Sequence, residues 1–97
     1  MRLYVTQSAL QDLQDIKSYY ESQGVPQTGV RLVTEVLEKI EVLLIEHPDI
    51  GRKVPEFDQE NIREIIYTPF RIVYLRETST VTLVRVWRSE RLLVLPE

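Results

Sequence analysis

The stretch NIREIIYTPFRIVYLRE, Asn61 to Glu77, most restricts what this chain can fold into. Two runs rich in β-branched and aromatic side chains flank Thr68–Pro69. Residues of that kind favour strands, and the Thr-Pro pair between them predicts a tight hairpin turn. An arginine sits near the start of each run, Arg63 in the first and Arg71 in the second. Each is either a strand-end arginine paired with a glutamate, Glu64 or Glu77, or part of a site.

The residues before this hairpin have a different period. RLYVT, residues 2–6, reads as a short strand. Ser8 with Gln11 three positions later reads as a capping box opening a helix. Ala9, Leu13, Ile16 and Tyr20 then recur at spacings that put them on one helical face, and Gly24 ends the pattern. A second helix is predicted from about Gln27 to Glu46, with Val30, Val33, Leu37, Ile40 and Leu44 on its apolar stripe and Leu32, Val36 and Leu43 widening it. Pro48 stops it, because proline has no N–H and biases His47 away from helical geometry. His47 reads as a capping residue beside the helix dipole. The acids Asp12, Asp15, Glu35, Glu38 and Glu41 read as a solvated face. HPDIGRKVPEFDQEN follows as a long loop.

Strands are predicted at about 61–67, 70–76 and 80–87. The expected order is β-α-α-β-β-β in a single domain, 1–97. The fold class is α+β, a helical hairpin on one face of a small, mostly antiparallel sheet. Alternation puts Phe70, Ile72 and Tyr74 opposite Arg71, Val73 and Leu75. It also sets Val84 and Val86 against Val81, Leu83 and Trp87. Two helices cover only one face, so the other is expected to be an exposed apolar surface rimmed by arginine. Arg76 is expected to reach water from its strand end. The tail RLLVLPE, residues 91–97, adds apolar residues that suit an edge strand or another chain.

Composition removes several functions. There is no cysteine, which excludes disulfides, thiolate zinc sites and cysteine nucleophiles. No apolar run is long enough for a membrane span, and the N-terminal residues lack a signal peptide's pattern. A cytoplasmic setting is expected. Residues 1–50 carry 4 basic and 8 acidic side chains, and residues 51–97 carry 8 and 7. A net charge of −3 argues against a diffuse grip on a phosphate backbone. Arginine is the only base between residues 62 and 91, which suits planar, forked contacts. No metal motif, phosphate loop or nucleophile elbow is present, so no cofactor and no metal is expected.

The order of elements and several local patterns resemble the RelE/ParE superfamily of toxins from type II toxin–antitoxin modules. ALQDLQDIKSYY is similar to the family's first helix. Pro48, Gly51 and Arg52 match its P-x-x-G-R loop. NIREIIYTPFRIVY is similar to its central hairpin, with Arg63, Glu64, Arg71 and Tyr74 in place, and VTLVRVWRSER to its last strand. The resemblance spans essentially all 97 residues. It implies a cognate antitoxin as partner, with operator DNA reached only through that antitoxin. It also implies one of two targets: DNA gyrase for ParE-like members, or the ribosome and mRNA for RelE-like nucleases.

RNA cleavage through the 2′-hydroxyl needs a base, an acid and cations for the charged phosphorane. Arg63, Arg71 and Arg91 are the candidates if the chain is a nuclease. Glu64 and Ile65 stand where RelE-like members carry lysines, and arginine is a poor general base because it stays protonated. The reading is therefore ParE-like: a toxin that inhibits gyrase by binding, not an enzyme. The alternatives are a ribosome-dependent endoribonuclease or a weakly active family member serving as a binding partner. Arg63, Arg71, Arg85, Trp87, Arg88, Arg91, Leu93 and Leu95 are the expected contacts to target or antitoxin.

Overall fold

A computed structural model describes residues 1–57 and 59–88. The elements are β1 (Arg2–Val5), α1 (Gln7–Ser22), α2 (Pro26–Lys39), β2 (Arg52–Lys53), β3 (Ile62–Tyr67), β4 (Phe70–Arg76) and β5 (Thr80–Arg88). The strands form one sheet in the order β1-β5-β4-β3-β2. β1 runs parallel to β5, and every other pairing is antiparallel. The α+β expectation holds: two helices pack on one face of a mostly antiparallel sheet.

Thr6, not Ser8, caps α1. Its backbone is extended, and its Oγ1 accepts from the Ala9 N–H at 3.0 Å. The same hydroxyl donates to the Val84 carbonyl at 2.9 Å. One side chain thus ends β1, starts α1 and binds β5, which a cap at Ser8 could not do. Gln11 donates to Asp15, so no capping box forms. Gly24, at φ 80°, supplies the left-handed turn after α1, and Pro26 opens α2. Gly29 allows the two helices to approach. A Cβ there would lie 3.1 Å from the Tyr20 Cβ and 3.2 Å from the Lys17 Cα.

The stripe on α2 is rotated from its predicted position. Leu32, Val33 and Val36 are buried, whereas Val30 and Leu37 face solvent. The helix then passes through a π turn at Ile40–Leu44, which keeps both Ile40 and Leu44 inside. These side chains meet Ala9, Leu13 and Ile16 of α1 and Phe70, Ile72, Tyr74, Val81, Leu83 and Val86 of the sheet.

That last group departs from strict alternation. Val73 pairs with Arg85 but Tyr74 pairs with Leu83, so β5 carries an extra residue, Val84. A bulge of this kind reverses which side chains face inward beyond it. Val81 and Leu83 point into the core before the bulge, and Val86 does so after it. Val84 and Val86 therefore do not share a face set against Leu83, as plain alternation predicts.

The long loop also departs from expectation. It contains β2, which pairs Arg52 with Glu64 and Lys53 with Arg63. Val54 N–H extends the pairing to the Ile62 carbonyl at 3.3 Å. Val54 is fully buried, and so are Val73 and Glu64 on the sheet face away from the helices. That second face is closed in its middle by the loop, and it is not the open apolar surface the sequence predicts. The hairpin between β3 and β4 turns at Thr68–Pro69, whose peptide bond is cis.

Thr6→Ala should lower stability by about 1 to 2 kcal/mol in urea denaturation, because a cap and a strand contact are lost together. Thr6→Ser, which keeps the hydroxyl, should recover most of that loss.

Candidate functional site

The residues that carry the family resemblance converge on one segment, residues 48–57, which wraps the β3 edge of the sheet. On the helix side, the Tyr74 hydroxyl donates to the Pro48 carbonyl at 2.8 Å and accepts from the Gly51 N–H at 2.9 Å. Tyr74 is fully buried, and burial pushes its phenol above the ordinary value. Arg63 Nη1 donates to the Gly51 carbonyl at 2.9 Å, and Arg76 reaches Asp49 at 3.1 Å. Arg76 is thus paired at its strand end. A Cβ at Gly51 would lie 2.6 Å from the Tyr74 hydroxyl and 2.7 Å from the Glu64 carbonyl oxygen, so only glycine fits without displacement.

On the far side, Glu64 has a fully buried carboxylate. One oxygen accepts from Arg71 Nε, and the other accepts from Arg52 Nε at 2.7 Å. Arg71 turns its remaining fork onto Glu56, with Nη1 and Nη2 each 2.9 Å from a carboxylate oxygen. Its side chain is only 6% exposed. The pairing with Glu56, and then Glu64, holds the Arg71 guanidinium charged beyond its already high range, against the opposing effect of burial. The hydrogen bond from Arg71 in turn pulls the Glu56 carboxyl below its usual value.

A second constellation lies on β5. Asp12, expected on a solvated face, is buried. Its carboxylate takes both Arg85 donors, Nε at 2.7 Å and Nη2 at 3.0 Å, and also the Val86 N–H at 2.9 Å. β1 ends before this point, so a carboxylate replaces the missing strand partner. The hydrogen bond to Asp12 holds Arg85 charged more firmly than usual. Two guanidinium groups lie over the Trp87 ring, with Arg85 5.1 Å and Arg71 5.9 Å from its centre. Arg88 stacks on Tyr19 at 4.9 Å and donates to the Tyr20 hydroxyl at 3.2 Å. Asp12, Asp15, Ile16, Tyr19, Val86, Trp87 and Arg88 line a groove of about 160 Å³ there.

The expected contact residues therefore divide. Arg71, Arg85 and Trp87 come together. Arg63 faces the helix side, opposite Arg71, because it pairs across the sheet with Tyr74 whereas Arg71 pairs with Ile66. Arg88 closes the groove beside α1. Arg91, Leu93 and Leu95 lie outside the described residues. Sequence reasoning missed Glu56 and Asp12. Asp12 had a usable signal, since it falls between Ala9 and Leu13 on the buried stripe. Glu56 had none, because its partner lies 15 positions away.

Chemically, the arrangement favours binding. The groups on Arg71 are Glu56, Glu64 and the Trp87 ring, and the buried Tyr74 hydroxyl is engaged both as donor and as acceptor. No set of three His, Cys, Asp or Glu side chains that could hold a metal occurs among the described residues. No helix among them is long and apolar enough to cross a membrane.

Helices on one side, a five-stranded sheet and this edge-wrapping loop define the class as a small α+β domain. Solved structures share this fold. The chain resembles the chromosomal ParDE toxin–antitoxin system from P. aeruginosa, with TM-score 0.75 and 21% identity over 91% of this chain and 95% of that one. It also resembles a conserved hypothetical protein from Helicobacter pylori, with TM-score 0.56 and 21% identity over 93% and 96% of the two chains. Among curated proteins there is no match. The family model for the ParE toxin of the type II toxin–antitoxin system, parDE, matches residues 3–93, and the chain belongs to that family.

Two outcomes follow from the buried pair and its clamp. Arg71→Ala should cost about 3 kcal/mol in chemical denaturation, because Glu64 keeps only one of its two cations. The Glu56 carboxyl is depressed in the folded state, so its contribution is full above the ordinary carboxylate value and is lost as pH falls through the depressed one. The Tm difference between the native chain and Glu56→Gln should therefore shrink between about pH 7 and about pH 3.

Proposed function

We propose that this ParE-family toxin acts by binding, with DNA gyrase as its target, in the cytoplasm, and that a cognate antitoxin neutralises it. Operator DNA is then reached only through the antitoxin. The observation that carries this reading is the engagement of the arginines. Arg71 and Arg85 are held by carboxylates, and the tyrosine nearest in role to an acid or base, Tyr74, is buried in structural hydrogen bonds. A nuclease needs a free base beside its cations. A binding surface needs positioned side chains, and the Arg71–Trp87–Arg85 stack supplies them. Arg88 extends that surface toward α1. Arg91, Leu93 and Leu95 are further contact residues in this proposal.

The test is a supercoiling assay with purified gyrase and antitoxin-free protein. Loss of supercoiling with accumulated cleaved plasmid is the expected result. Trp87→Ala should weaken it by about tenfold or more, as loss of a central aromatic contact does. Folded protein without effect on gyrase would sink this reading. Cleavage of mRNA on programmed ribosomes would then establish the RelE-like alternative.

A further inference from the structure

Asp12 lies on α1, in the helical layer. Arg85 pairs with Val73 and Trp87 with Arg71, which puts both on the far face of the sheet. The Arg85 guanidinium nevertheless meets the Asp12 carboxylate, because β1 pairs with β5 only as far as Val5 with Leu83 and a side chain can reach round the edge beyond. The Asp12 side chain is 10% exposed, against 38% for that of Arg85. Burying a charge there costs stability, and the Val86 N–H alone would be served as well by a neutral acceptor. What the charge adds is direction. Two parallel bonds, Nε to one oxygen and Nη2 to the other, fix the plane of the guanidinium as well as its place. Its Cζ lies 5.1 Å from the centre of the Trp87 ring, within the range of a cation–π attraction. The second cation over the ring, Arg71, is likewise held by carboxylates, those of Glu64 and Glu56. Side chains ordered beforehand lose less entropy on meeting a partner.

We propose that Asp12 is a positioning residue for the target contact: through Arg85 it sets the Trp87 ring, and it does not itself touch the target. Its effect on gyrase rests on the gyrase reading, whereas its hold on Trp87 rests on geometry alone.

The experiment compares Asp12→Asn with the native chain. Asparagine keeps one oxygen for the Val86 N–H and Arg85 Nε, and loses the charge and the second acceptor of the fork. Trp87 is the only tryptophan of the chain, so its fluorescence reports on the ring without a label. Asp12→Asn should quicken the depolarisation of that fluorescence and raise its quenching by acrylamide, with amide exchange at Val86 unchanged. It should raise the concentration needed to inhibit supercoiling by about fivefold, the scale of one weakened cation–π contact. In a Trp87→Ala background the same change should add almost nothing, because the two residues act as one unit. Unchanged Trp87 fluorescence in folded Asp12→Asn overturns the hold on the ring. So does a change accompanied by lost protection at Val86, which makes Asp12 a strand partner only. Unchanged inhibition by a loosened Asp12→Asn, or full additivity with Trp87→Ala, overturns the role in the target contact. If Asp12→Asn fails to fold, Arg85→Lys makes the fluorescence test, since it keeps a charge beside Asp12 but loses the planar fork; an unmoved ring then overturns the proposal. A folded native chain without effect on gyrase overturns the target reading and the contact with it, while Trp87 fluorescence still decides the hold of Asp12 on the ring separately.

Discussion

The structure depends most on one buried carboxylate. Glu64 sits inside the sheet with no exposed side-chain surface, and it is tolerable there because two guanidinium groups each take one of its oxygens. Arg71 fixes the far face and passes the constraint to Glu56. Arg52 fixes the edge and sets β2 opposite β3. The loop, the second face and the position of Trp87 follow from that arrangement. Without Glu64, Arg71 would still have Glu56 and the Trp87 ring, but its Nε would lose its buried acceptor.

The same logic recurs on β5 at smaller scale. Asp12 stands in for a strand where β1 stops, and Arg85 balances its charge. In both places a buried carboxylate is balanced by arginine, and on β5 it also takes a main-chain N–H that has no strand partner. The acidic side chains engaged in this way sit on a strand, a helix and a loop, whereas the arginines all come from the strands.

Much of the fold was legible because local pattern and tertiary structure agree. The three long strands lie within about a residue of their predicted places, and both helices are where their periods put them. The failures share a physical cause, namely contacts distant in sequence. The α1 cap is set by Val84, 78 positions away. The bulge at Val84 inverts half of a strand's facing, and no local pattern marks it. β2 is too short to have a period. The site was legible as a list of residue types but not as an arrangement. Arg63, Glu64, Arg71 and Tyr74 were recognisable on the hairpin, yet alternation alone did not show that they hold a loop. Tyr74 works from the helix side and Arg71 from the other, and both grip the same ten residues.

Because the segment is held on two faces at once, it cannot lift from one without straining the other. Freeing it means losing the β2 pairing and the Glu56 clamp together. Such an opening would carry Arg52 and Glu56 away together and leave Arg71 with Glu64 on the sheet. The local charge would stay balanced, one arginine to one glutamate, but a buried ion pair would meet water.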